Sequence, residues 1–123
     1  MIHPQGSAPV KGPYSPALKS RDFLFCSGQI GLDPATGKLA PGGTCAELAR
    51  ALANLDLLLQ AAGLSRAAVL KTTLFLVDMG EFAAANEVYA GFFRESPRPA
   101  RTCVAVSALP AGARVEIEAV ARA

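Results

Sequence analysis

Leu48, Leu52, Leu55, Leu59 and Ala62 recur at alternating spacings of four and three. That is the period of one face of an α-helix, and a helix with one apolar stripe must bury it against another layer. Thr44 and Glu47 in "TCAE" predict a capping box at its start, each side chain satisfying an otherwise orphan backbone N–H. Gly63 predicts a left-handed C-cap at its end.

The segments around this helix read as strands, loops and one further helix. Residues 1–16, with Pro4, Gly6, Pro9, Gly12, Pro13 and Pro16, read as an irregular lead-in. Strands follow near 17–20 and 22–29, with "SRD" as the turn. "DFLFCSGQI" is apolar on both faces until Ser27, which predicts a strand covered on both sides. "GLDPATGKLAPGG" is dense in turn residues and reads as loop. "VLKTTLFLV" (69–77) is β-rich, and its second half, apolar on both faces, predicts a central strand. Asp78 and Glu81 repeat the capping-box spacing ahead of a second helix reaching about 94, with Phe82, Ala85, Tyr89 and Phe92 along one face. "ESPRPA" is a proline-broken loop, and strands 101–108 and 114–121 close the chain.

The order ββαβαββ predicts an α+β fold: a two-layer sandwich with two helices on one face of a mixed sheet. At 123 residues the whole chain, 1–123, reads as a single domain. In "RVEIEAVA" the residues Val115, Ile117 and Ala119 form a core face. The opposite face carries Glu116, Glu118 and then Val120, a mixture that suits a subunit interface. Composition points the same way. Hydrophobic residues make up 51 % and charged residues only 18 %, which leaves little polar surface for a small monomer and predicts an oligomer.

Charge and cysteine content remove several classes of function. Twelve basic against ten acidic side chains, a net charge of +2, is too balanced to argue for a nucleic-acid or membrane partner. Cys26, Cys45 and Cys103 are odd in number and widely spaced, so they form neither a disulfide framework nor a zinc motif. A reducing compartment is expected. With no apolar stretch of signal-peptide or bilayer-spanning type, the cytoplasm is the expected location. The one histidine, His3, lies in the lead-in, so no Ser-His-Asp or Cys-His pair forms within the chain. No phosphate loop, dinucleotide fingerprint or metal spacing is present, so chemistry without metal or cofactor is expected.

What remains is a short set of candidates. Arg101, in "RPARTCVAV", brings an always-charged fork of donors to the mouth of an apolar strand. On spacing alone it pairs with Glu95 or Glu116 at the surface. The alternative is a bidentate clamp for a substrate carboxylate. Glu118 is either an exposed strand glutamate or a partly desolvated general base. Tyr14 in "GPYSPA" reads first as packing, Ser27 beside Gly28 as turn chemistry and Cys103 as a small core residue on the Arg101 side of its strand. Asn86 replaces an apolar residue inside the second helix.

Taken together, "GPYSPA" (12–17), "CSGQIGLDPATG" (26–37), "AAGL" (61–64), "VLKTTLFLVDMGEF" (69–82), "NEVYAGFF" (86–93), "PARTCV" (99–104) and "RVEIEAVA" (114–121) resemble the Rid/YjgF family. These are enamine/imine deaminases, also known under the L-PSP endoribonuclease name. The resemblance runs from about Ala8 to Ala121. It implies a chorismate-mutase-like sandwich that assembles as a homotrimer with sites between subunits, and no metal or cofactor. It implies that Arg101 binds the carboxylate of a 2-imino or 2-enamino acid such as 2-aminoacrylate, and that Glu118 holds the attacking water. Tyr14 and Ser27 would line the cleft, backbone groups at Gly28 and Cys103 would complete it, and Asn86 would support it.

Two positions depart from the family pattern. Pro16 stands where glutamine is frequent, and Arg98 where an aromatic or apolar residue often precedes "PAR". Arg98 adds charge near Arg101 and favours a dianionic or larger acid. Two other functions remain open on the sequence. One is an endoribonuclease or RNA binder using Arg94, Arg98 and Arg101, although no aromatic-interleaved basic strip accompanies them. The other is a non-catalytic trimeric ligand sensor or chaperone.

Overall fold

The apolar stripe of helix α1 (Thr44–Ala61) turns inward as its period requires: Leu48, Leu52, Leu55 and Leu59 are each at most 2 % exposed. They are covered by a five-stranded sheet in this computed structural model, which describes residue 10 and residues 12–123. His3 and most of the lead-in lie outside the described residues, and Gly12–Pro16 is irregular.

The strands are β1 (Ala17–Ser20), β2 (Phe23–Gln29), β3 (Val69–Leu76), β4 (Ala100–Ala105) and β5 (Val115–Arg122), in the order β1-β2-β5-β3-β4. Neighbours are antiparallel except β3 and β4, which are parallel. A parallel pair needs a crossover, supplied here by helix α2 (Phe82–Phe92). Both helices pack on one face, and the α+β sandwich with its mixed sheet is as the sequence predicts. The last strand in sequence sits in the middle of the sheet. Its inward residues Val115, Ile117, Ala119 and Ala121 are at most 3 % exposed and join the core beneath α1.

Three local expectations are corrected. Thr44 and Glu47 form no capping box, because Gly43 is the N-cap and no side chain caps it. Their oxygens are taken by a distant partner: the Arg114 amide N–H donates to Glu47 Oε1 (2.9 Å) and Arg114 Nε donates to Thr44 Oγ1 (3.0 Å). Both side chains are nearly buried, and a buried acceptor takes the donor that reaches it, which here stands at the start of β5. Asp78 and Glu81 also fail to pair as a box. Asp78 Oδ1 caps a short 3-10 turn by accepting from Gly80 N (2.8 Å), and Glu81 faces Arg114 instead (3.7 Å). The third correction concerns cover. In β2, Leu24 and Cys26 are buried but Phe23 and Phe25 are 39 % and 47 % exposed, and in β3 Thr73 and Phe75 are half-buried. Among the described residues one sheet face is therefore open, because both helices lie on the other.

The end of α1 is as predicted. Gly63 has φ +76°, its N–H donates to Gln60 O (2.9 Å), and Leu64 N–H donates to Leu59 O (2.8 Å). This is a Schellman motif, and only a residue without a Cβ enters it unstrained. Within α1, Asn54 donates both amide hydrogens to the loop after β2, to Ile30 O (3.1 Å) and Leu32 O (2.9 Å).

Candidate active site

Pro99 ends the loop before β4, and the strand then delivers Arg101 and Cys103 to the helix side of the sheet. Arg101 pairs in register with buried Thr72 of β3. Its guanidinium carbon lies 4.7 Å from the ring centre of Tyr89 and 5.6 Å from that of Phe82, both on α2. Tyr89 is itself fixed: its hydroxyl shares a 2.7 Å hydrogen bond with Thr72 Oγ1, and its ring stacks on Phe93 at 4.8 Å. A guanidinium over an aromatic face gains a cation–π attraction and keeps its donors free at the rim.

Among the described residues no carboxylate reaches Arg101; the two ion pairs there are Arg66–Asp56 and Arg114–Glu81. Neither Glu95 nor Glu116 pairs with it, so the surface alternative is not what the chain adopts. Cys103, half-buried two residues on, has its thiol pushed up by burial, with the Arg101 charge opposing. Cys26 is pushed up to about 11 by burial alone and is no nucleophile.

A second group assembles on the open face. Between Cys26 and Gln29 the pairing of β2 with β5 slips, a bulge that re-aims Ser27 and Gly28. Ser27 Oγ donates to Ser15 O (2.6 Å) and Ser27 N–H to Pro16 O (2.9 Å), tying the bulge to the segment that carries Tyr14. Tyr14 itself is 52 % exposed. Ser15, Phe25, Ser27, Lys71, Thr73 and Glu118 border a concavity of about 390 Å³.

Glu116 lies beside this group. A Cβ on Gly28 would come within 2.5 Å of Glu116 Oε1, so glycine at 28 is what lets the carboxylate rest on the bulge backbone. Desolvation raises the Glu116 carboxyl above the usual carboxylate range, and the nearby Glu118 charge raises it further. Glu118 is exposed at the concavity.

The candidates therefore fall into two sets on opposite sides of one sheet. Arg101 and Cys103 face α2, while Ser27, Gly28, Glu116 and Glu118 gather on the open face. Asn86, also on α2, has its Oδ1 buried with no hydrogen-bond partner among the described residues. Sequence reasoning missed two members. Tyr89 was visible only as a helix packing residue, and its role as a platform needs the β3–β4 register. Glu116 was visible only as a surface partner for Arg101; its position two residues before Glu118 on one strand face was the available signal. Among the described residues no cluster of His, Cys, Asp and Glu could hold a metal ion.

Comparison with known proteins finds relatives in both sequence and fold. The family model described as "Endoribonuclease L-PSP" matches residues 5–123. A mouse 2-iminobutanoate/2-iminopropanoate deaminase is 49 % identical over 110 residues, covering 89 % of this chain and 81 % of its own length. The crystal structure of a Rid-family protein, YyfA from Yersinia pestis, superposes with a TM-score of 0.95 at 37 % identity, covering 99 % of this chain and 97 % of that one. E. coli TdcF, solved with bound serine, superposes with a TM-score of 0.94 at 37 % identity, covering 100 % of this chain and 98 % of that one.

Proposed function

This chain belongs to the endoribonuclease L-PSP family, the Rid/YjgF proteins, and we propose that it hydrolyses 2-imino and 2-enamino acids to 2-keto acids and ammonia. The observation that carries this reading is Arg101, a guanidinium seated on Tyr89 at the edge of the sheet with no carboxylate partner among the described residues. A small organic carboxylate supplies the missing anion through two parallel charge-assisted hydrogen bonds. The activity named for the mouse relative and the serine held by TdcF support a ligand of that size and charge.

The two sets meet if the β4 edge of one copy lies against the open face of another. A homotrimer with a site between neighbouring copies is the assembly proposed here, and the exposed Leu18, Phe25 and Val104 suit such a contact. Clamping the carboxylate then fixes the imine carbon against the bulge of the neighbour. Orientation of this kind is worth roughly 7 kcal/mol in favourable cases. Of the two carboxylates on β5, Glu116 is the better placed to hold the attacking water, since it is the more buried and burial raises its carboxyl above the usual carboxylate range. Glu118 then acts through its charge on Glu116.

Water adds to the C=N carbon and gives up a proton to the carboxylate. The carbinolamine nitrogen takes that proton, the hydroxyl gives up its own as the C=O bond forms and the C–N bond breaks, and ammonia and the 2-keto acid leave. Tyr14, Ser27 and the backbone at Gly28 and Cys103 line the cleft, and Asn86 supports it from α2.

The test couples a pyridoxal-dependent serine dehydratase, which releases 2-aminoacrylate, to this protein and follows loss of the imine. Disappearance no faster than in buffer overturns the proposal.

A further inference from the structure

We propose that Arg98 is a specificity-determining residue: with Arg101 it forms a two-guanidinium locus that selects substrates carrying a second carboxylate, 2-imino dicarboxylic acids, over monocarboxylic ones. The inference rests on the reading above, in which Arg101 takes the first carboxylate.

Two neighbouring residues of one stacked pair hold the two cations, Tyr89 with its ring and Phe93 with its backbone carbonyl. Arg98 Nε donates to the carbonyl of Phe93 (2.6 Å), and Phe93 is 3 % exposed and stacked on Tyr89, which in turn carries Arg101. That bond fixes the stem of the Arg98 fork and leaves its two terminal nitrogens with no protein acceptor among the described residues. Only Pro99 and Ala100 separate the two arginines, and the proline ring locks its φ, so their spacing is stiff. Both charges reach Tyr89, whose phenol is raised by burial while the Thr72 hydrogen bond, Arg101 and Arg98 pull it back.

The nearest acidic residue in sequence does not neutralise them. Glu95 borders a different groove with Arg66, Arg94, Pro97 and Pro99. Two like charges converging on one phenol without a counter-ion disfavour each other, and a dianion relieves both at once. A monocarboxylate satisfies only one. The chemistry of the hydrolysis is unchanged; the second carboxylate adds binding and orientation.

The experiment compares two imines made in situ. 2-Iminosuccinate comes from aspartate with an aspartate oxidase, and 2-iminopropanoate from alanine with an amino-acid oxidase; residual imine is trapped with semicarbazide. The wild-type chain is expected to favour the diacid by about tenfold, the worth of one charge-assisted hydrogen bond. Arg98→Gln should remove that preference while changing the monoacid rate by about twofold at most, and Arg98→Lys should keep part of it. Equal losses on both substrates, or no preference in the wild type, overturn the assignment. If neither imine is hydrolysed, the deaminase reading falls and calorimetric titration decides for Arg98 alone. In that titration 2-oxoglutarate should bind about tenfold more tightly than 2-oxobutanoate, and the difference should vanish in Arg98→Gln. Equal affinities, or no binding of either acid, reject the locus.

Discussion

Arg101 and Glu116 stand on opposite faces of the same sheet, one against α2 and the other against the β2 bulge. No rotamer change brings two side chains through a sheet, so a reaction that uses both must draw them from two copies of the chain.

Mixed assemblies should therefore be active where their parents are not. Arg101→Ala and Glu116→Gln proteins, each inactive alone, should recover a measurable fraction of the wild-type rate when co-expressed and purified as mixed oligomers. Continued inactivity of the mixture would mean that the two groups do not share a site.

Arg101→Ala alone should lower kcat/KM by about a hundredfold or more, from the loss of two charge-assisted hydrogen bonds. Its melting temperature should stay close to that of the parent, because Arg101 makes no ion pair among the described residues. Arg101→Lys should recover little, since an ammonium lacks the planar fork.

The raised carboxyl of Glu116 has two consequences with pH. As a base it works only when ionised, so kcat/KM should fall on acidification with a limb above the ordinary carboxylate range, and Glu118→Gln should move that limb to lower pH by removing a like charge. The folded chain holds this proton more tightly than the unfolded one, so the contribution to stability falls as pH rises through the same window. Glu116→Gln should therefore raise the melting temperature, and more so at mildly alkaline than at mildly acid pH. A difference in melting temperature between mutant and wild type that is the same at both pH values would contradict the desolvation on which the base rests.

Gly28→Ala and Gly31→Ala should separate function from folding. The Cβ at 28 meets the tip of a flexible carboxylate, which swings away, so activity should drop with little loss of stability. The Cβ at 31 meets the Glu47 backbone at 2.5–2.6 Å, which cannot yield, so that protein should melt earlier. Chemical denaturation and the coupled assay read the two effects apart.

Tyr89→Phe removes the hydroxyl from a 2.7 Å bond and leaves Thr72 without that partner in the core. A cost of about 1 kcal/mol is expected, seen as a drop of several degrees in melting temperature. The ring that carries Arg101 is retained, so kcat/KM should change far less than in Arg101→Ala.

Most of the fold was legible because its elements are strongly periodic. The Leu48–Leu59 stripe and the Val115, Ile117 and Ala119 alternation leave few choices of layer. The capping boxes were not legible, because the same residues that cap locally can be claimed from afar, and Thr44 and Glu47 are claimed by Arg114. The β2 segment misled for a related reason. Phe23 and Phe25 read as covered, yet a sequence does not say whether the cover is its own chain or another. In the candidate site Arg101 stood out by residue type and place. The pairing of Glu116 with Gly28 depends on a slipped register, and the seat of Arg101 on Tyr89 depends on a parallel one. Neither leaves a mark in residue spacing.

Asn54 pins the loop after β2. One side-chain amide faces two loop carbonyls with both its hydrogens, and Arg50 Nε, 3.2 Å from Oδ1, holds its orientation. Deamidation at this position would turn those donors into a carboxylate aimed at two carbonyl oxygens. The chemical ageing of a single nitrogen would thus unfasten the segment that follows Ser27 and Gly28, while every catalytic group stayed chemically intact.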